Sequence, residues 1–175
     1  GVKAPKASAP IEEKESFKWL LGARNAYQAL QTAQQLTYVF DREADNFELL
    51  HYLQNELKSD FVIRSNHDRK VTWQDKQLLL SQCLDQSQAV GCYEIDLPAQ
   101  DHYSWTSGKR IKRKARKAQM EIRYEAIQVS RPKGVKVGQP LDLYLVEAKE
   151  ITPNLPADES PVSWRLLTTH PIASL

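Results

Sequence analysis

LTYVF at residues 36–40 runs straight into DREAD at 41–45, and FVIR follows at 61–64. LTYVF is a β-branched and aromatic run of the kind that forms a buried central strand. Beyond it, Asp45 with Glu48 three residues on resembles a capping box, and Leu49, Leu50, Leu53 and Leu57 share one helical face ending near Lys58. FVIR reads as a second strand. Strand, sharp junction, helix, strand is a crossover unit, so the two strands are expected to run parallel.

Upstream, GVKAPKASAP at 1–10 holds only small, Pro and Lys residues and reads as a linker or tail. From Ile11 a helix is predicted, with Ser8 as an upstream cap and Glu12, Glu13 and Glu15 at its positive end. Leu20, Ala23, Tyr27 and Leu30 recur along it at helical spacing. Downstream of Arg64 the pattern predicts a short helix around Asp75–Gln86, with Leu78, Leu79 and Leu84 inward. Alternation with period two then takes over. Tyr93, Ile95 and Leu97 share a face, as do Met120, Ile122 and Tyr124, and LDLYLVEAKE at 141–150 is a third such strand. Half-exposed strands separated by turns predict an antiparallel sheet. A Pro-rich acidic loop, TPNLPADESP, leads to a last strand at 164–169, WRLLTT.

A length of 175 residues fits one domain, or one domain carrying a large insertion. With 41% hydrophobic and 26% charged residues, the chain is neither a disordered tail nor a disulfide miniprotein. No apolar run approaches the ~18 residues of a membrane span and no signal pattern opens the chain, so a soluble, cytoplasmic protein is expected. Cys83 and Cys92 lack CxxC spacing and read as reduced thiols. The net charge of +2 hides an asymmetry. GKRIKRKARK at 108–117 carries seven basic and no acidic side chains, on an otherwise slightly acidic body.

Four constellations carry chemistry. Asp41 ends a strand, and in α/β sheets ligands bind beyond the carboxyl ends of the strands. Asp41, Glu43 and Asp45 together suit a hard cation such as Mg²⁺; the plainer reading, favoured by spacing alone, is helix capping. The run containing Lys109, Arg110, Lys112, Arg113, Lys114, Arg116 and Lys117 suits a polyanion, because seven like charges repel unless something neutralises them. Its plain alternative is a solvated hairpin tip. Arg64 to Lys70 mixes basic and hydrogen-bonding side chains fit for phosphate, or for an ordinary polar loop. Trp164 opens the last strand and by default is core. His51, His67, His102 and His170 have no motif partner. The absence of a nucleophile elbow, P-loop, dinucleotide fingerprint or HExxH argues against triad hydrolases and nucleotide-binding enzymes.

EEKESFKWL at 12–20, YVFDREAD at 38–45, FVIRSNHDRK at 61–70, SGKRIKRKARKA at 107–118 and VSWRLLTTHPIASL at 162–175 occur in an order that resembles bacterial insertion-sequence DDE transposases. The resemblance is to the cut-and-paste branch typified by the transposase of the kanamycin-resistance composite transposon, and it spans the chain from about residue 11. It implies a mixed α/β class: a partial RNase H-like core at 11–70, an inserted antiparallel β-rich subdomain at 71–160 and a return strand of the core at 161–175. In that family three carboxylates hold two Mg²⁺ or Mn²⁺ ions, which activate water or a 3′-hydroxyl for phosphodiester hydrolysis and strand transfer. Asp41 matches the second carboxylate. Arg64 matches a residue of a DNA-contacting strand end, and Trp164 a tryptophan that receives a flipped base.

The implied partner is double-stranded transposon-end DNA, bound by homodimers of full-length members in the nucleoid-associated bacterial cytoplasm. The first carboxylate would lie upstream of Gly1 and the third downstream of Leu175, so the chain is expected to be an interior piece, inactive alone. Asn66 and Asp68 replace the Lys and Pro of the family's RSKHPRK pattern, and a carboxylate at Asp68 would repel phosphate. Two other readings remain beside this one: a remnant that binds DNA without catalysis, and an inhibitory partner of a full-length chain.

Overall fold

A computed structural model describes residues 16–104, 108–136, 138–155 and 159–172. The predicted tail at 1–10, Ser8 and the acidic residues Glu12, Glu13 and Glu15 lie outside the described residues. The fold is mixed α/β, built on a mixed sheet. Helix α1 (Phe17–Ala29) precedes strand β1 (Thr37–Phe40); a 3₁₀ turn (Arg42–Ala44) and helix α2 (Phe47–His51), extended by a π turn (Tyr52–Glu56), lead to β2 (Asp60–Arg64). The remaining elements are β3 (Lys70–Trp73), β4 (Lys76–Leu79), α3 (Leu80–Gln86), β5 (Gly91–Leu97), β6 (Gln100–Ser104), β7 (Lys109–Arg113), β8 (Arg116–Val129), β9 (Leu141–Glu150) and β10 (Ser163–Thr168).

The crossover has the predicted geometry: β1 and β2 are parallel, with Thr37 opposite Asp60 and Phe40 opposite Ile63. The main sheet runs β1-β2-β10-β9-β8-β3-β4, with β5 also pairing β8, and every pair other than β1–β2 is antiparallel. The strands predicted downstream therefore continue the same sheet. β6 and β7 form a separate two-stranded hairpin.

Two cores lie on opposite faces. On one face α1, α2 and α3 cover Phe61, Ile63, Leu167, Leu145, Leu143, Ile127, Val129 and Val71. Leu49, Leu50, Leu53 and Leu57 are all buried there, as their spacing predicts, and Tyr38 donates its hydroxyl to the Ala23 carbonyl, fastening α1 to β1. On the other face a smaller cluster joins Leu97, Ala118 and Met120, with Ile95, Ala148, Val162 and Trp164 against it.

Several sequence expectations are corrected. LTYVF is not central: β1 stands at one end of the strand order, and Val39 is 75% exposed. Only the alternate side chains of this strand meet helices, and among the described residues nothing pairs with its outer edge. The predicted helix over Asp75–Gln86 begins only at Leu80, because Lys76–Leu79 pairs with Lys70–Trp73 around a two-residue turn at Gln74 and Asp75. Both turn residues have positive φ (48° and 62°), which suits the twist of a two-residue hairpin. Of the four residues at helical spacing, Ala23 is buried and Leu20 half-buried, while Tyr27 and Leu30, the latter just past the end of α1, are exposed. Asp45 does not cap α2. Asn46 does, its side chain accepting the Leu49 N–H at 2.8 Å.

The loop between β8 and β9 presses on α2 through Gly138, whose φ is +98°; a Cβ added there would stand 2.7 Å from His51 Cδ2 and 3.0 Å from Phe47 Cε1. Positive φ at a non-glycine residue costs ~1–3 kcal/mol before any clash is counted. Gly138→Ala is therefore expected to destabilise the protein by at least that amount, read as a lowered urea midpoint at unchanged m-value.

Candidate nucleic-acid interface

The parallel pair β1–β2 sends both carboxyl ends to the same side of the sheet, and the residues that follow meet there. Asp41 follows the last residue of β1, and Arg64 ends β2. Their side chains approach to 3.6 Å (Nη1 to Oδ1), with Asp41 66% and Arg64 34% exposed. Arg64 stands opposite Leu166 of β10, so Trp164, two residues earlier, lies on the same sheet face. Over this face Val62, Leu166, Val146, Tyr144 and Tyr124 are half-buried. Asp41, Arg64 and Trp164 are thus gathered on one half-open surface, the tryptophan from a hundred residues or more along the chain.

Trp164 is half-buried against Ala118, Met120 and Leu97. Ala118 directly follows the basic run in sequence, so the run leads away from the tryptophan. Its members differ in situation. Lys112 and Lys114 are exposed. Arg110 forms a two-bonded pair with Asp101 (2.6 and 2.9 Å) on the β6–β7 hairpin, and Lys117 pairs with Glu94 at 2.8 Å, which raises its pKa. Arg113 donates to the Pro98 carbonyl. The side chain of Lys109 lies outside the described residues.

Arg116 is engaged inside the protein. Its Nε and Nη2 each donate to Glu150 at 2.8 Å, while Nη1 pairs with Glu159. The arginine side chain is 14% exposed and that of Glu150 fully buried. Glu159 also accepts the Lys114 backbone N–H, at 3.0 Å. This cluster latches the segment between β9 and β10 over the smaller core, with the Val162 N–H and the Thr152 hydroxyl completing the shell of Glu150.

Asp45 occupies another buried position. Its Oδ2 accepts the backbone N–H groups of Asn66 (2.6 Å) and His67 (3.1 Å), and its Oδ1 pairs with Arg69. Asp68 accepts the N–H and hydroxyl of Ser81 at 2.9 and 2.7 Å, anchoring the start of α3. Arg69, the Ser65 hydroxyl and the Asn66 and His67 backbone N–H groups thus have internal acceptors, while Arg64 pairs with Asp41 at the open face. The acidic trio is likewise divided: Asp41 stays at the surface, Glu43 meets Lys18 at 3.7 Å, and Asp45 turns inward.

Among the described residues no three His, Cys, Asp or Glu side chains converge on a point that would hold a metal. Asp41, a lone exposed carboxylate beside a guanidinium, does not by itself fit a divalent cation. Cys83 is buried, its thiol pushed up to about 12 by desolvation, and both cysteines are unpaired. The described helices include none long and apolar enough to cross a membrane. No protein-family model matches the chain.

Sequence reasoning missed the buried acceptors, Asp45, Glu147 and Glu150. Glu147 accepts from Arg165 Nε at 3.0 Å and from the Ser163 hydroxyl at 3.2 Å. None of these carboxylate–arginine pairs has a local spacing signal, since the partners stand 18 or more residues apart in sequence.

The hydrogen bonds from Arg116 lead in holding the Glu150 carboxyl down at about 2, against an ordinary 4.5, despite burial. A carboxyl depressed in the folded state stabilises it fully above the ordinary value, and that stability is lost as pH falls through the folded one. Glu150→Gln is expected to cost ~1.5–3 kcal/mol at pH 7, because Arg116 loses charge-assisted hydrogen bonds to one of its two carboxylate partners while Glu159 still neutralises it. Thermal melts between pH 5 and pH 2 should show the wild-type advantage shrinking as pH drops, whereas an advantage constant across that window would remove Glu150 from the linkage.

Proposed function

We propose that the chain is the interior portion of a DNA transposase catalytic domain. In this reading β1 and β2 belong to a partial RNase H-like core, Asp41 is one of its metal-holding catalytic carboxylates, and the strands from β3 to β9 are its antiparallel insertion. The partner is double-stranded transposon-end DNA. The complete enzyme acts in the bacterial cytoplasm at the nucleoid as a homodimer with Mg²⁺ or Mn²⁺. The observation that carries this reading is the gathering of Asp41, Arg64 and Trp164 on one half-open face at the carboxyl end of a parallel strand pair, where α/β sheets bind ligands.

Each residue has a role that its chemistry suits. Arg64 offers guanidinium donors to a phosphate oxygen. Trp164, wedged on Met120 and Ala118 with part of its ring exposed, offers a stacking surface for a base. Lys112 and Lys114 supply exposed positive charge along the adjoining segment. Asp41 alone cannot assemble a three-carboxylate site, so the isolated chain binds DNA without cutting it. Incubation of the 175-residue chain with end-sequence DNA and Mn²⁺ should leave the duplex intact; nicking abolished by Asp41→Ala would refute that statement.

A second reading, DNA binding without any catalytic role, is favoured by the exposed basic run. Anisotropy titrations across salt concentrations test what both readings share. Each phosphate contact contributes ~0.9 to the slope of log K against log salt, so Lys112→Gln with Lys114→Gln should flatten it by about 1.8. Arg116→Gln should instead lower stability, because its guanidinium is held by Glu150 and Glu159. A wild-type chain whose binding shows no salt dependence would remove DNA from both readings.

A further inference from the structure

We propose that Asp45 is the positioning residue of the candidate site: its buried carboxylate, bonded to the loop after β2, sets the spacing between Asp41 and Arg64. This rests on the site reading given above. The strand ladder does not fix that spacing by itself. The last registered pair of β1 and β2 is Phe40 with Ile63, so Asp41 lies beyond the ladder and Arg64 is at its final residue.

What holds the two ends together is the next tie outward. Asp41 is joined to Asp45 by a single 3₁₀ turn, in which the Ala44 N–H donates to the Asp41 carbonyl at 3.0 Å and the Asp45 N–H to the Arg42 carbonyl at 3.2 Å. Ala44 is completely buried, so the turn is seated on the core. Asn66, whose N–H meets the Asp45 carboxylate at 2.6 Å, is two residues from Arg64. The path from Asp41 to Arg64 is therefore a short closed loop of backbone with the Asp45 carboxylate as its clasp.

The energetics point the same way. A buried ion pair is a poor source of net stability, since desolvating both charges offsets much of their attraction. This pair is poorer still: Arg69 Nε is buried without a hydrogen-bond partner. A well-packed apolar pair would stabilise as well. Only a carboxylate can accept two adjacent backbone N–H groups and a guanidinium together, and so fix where each loop stands.

The test separates positioning from bulk stability. In ¹⁵N spectra of the wild-type chain, Asp41→Asn should shift the Arg64 Nε–H resonance; in an Asp45→Asn background the same substitution should leave it unmoved while the sheet resonances persist. If Asp45→Asn fails to fold, Asp45→Asn with Arg69→Met removes both buried charges and should show the same uncoupling. In the DNA titration, Arg64→Ala should flatten the salt slope by about 0.9 in the wild type and by nothing with Asp45→Asn, whereas Lys112→Gln should flatten it equally in both. An Arg64 resonance that still responds to Asp41 without the Asp45 carboxylate overturns the proposal. A wild type that does not bind DNA overturns the functional reading instead, and the resonance experiment still decides the positioning role.

Discussion

The β8–β9 ladder is the member on which the two cores depend. Its ten registered pairs run from Met120 opposite Glu150 to Val129 opposite Leu141. Along β9 the buried side chains are Leu141, Leu143, Leu145 and Glu147; the strand's far end instead buries Glu150. β8 makes the same exchange, burying Ala118, Met120 and Ile122 at one end and Ile127 and Val129 at the other. Because strand side chains alternate between faces, this change of parity carries the apolar surface from the helix-covered side to the opposite side. One half of the ladder thus serves the helices, and the other serves the small core beneath Trp164.

Charge is arranged around this switch. Among the described residues three carboxylates, Asp45, Glu147 and Glu150, are buried, and each meets an arginine: Arg69, Arg165 and Arg116. Each pair ties segments that are distant in sequence. Arg116 belongs by sequence to the basic run but by structure to the fold, whereas Lys112 and Lys114 of the same run face solvent. A count of positive charges therefore overstates the surface available to a polyanion.

The crossover was legible in the sequence because its signals are local: an apolar strand, four leucines at helical spacing and a second strand fall within thirty residues. The edge position of β1 was not, since an apolar strand reads alike whether or not it has neighbours on both sides. The β3–β4 hairpin was masked by Leu78, Leu79 and Leu84, which fit a helix as well, and by a Gln-Asp turn in place of the usual Asn-Gly signal. At the site, Asp41, Arg64 and Trp164 could each be named from the sequence, and the strand register brings them to one face. The clasp at Asp45 could not be read, because a carboxylate one residue before a helix cap looks like the cap itself.

The placement of β10 bears on how the chain folds. This strand is the last described in sequence, yet it sits between β2 and β9 and pairs with both. Leu166 and Arg64, neighbours across that junction, are about a hundred residues apart along the chain. Until β10 arrives, the crossover and the β8–β9 ladder share no strand pairing, and are joined instead by side-chain packing in the helix-covered core and by the contact of Gly138 with α2. Closing so large a loop carries an entropic cost that local pairings avoid, and topologies dominated by such contacts fold slowly. Emerging from a ribosome, the protein would have both halves made before the strand that joins them is available.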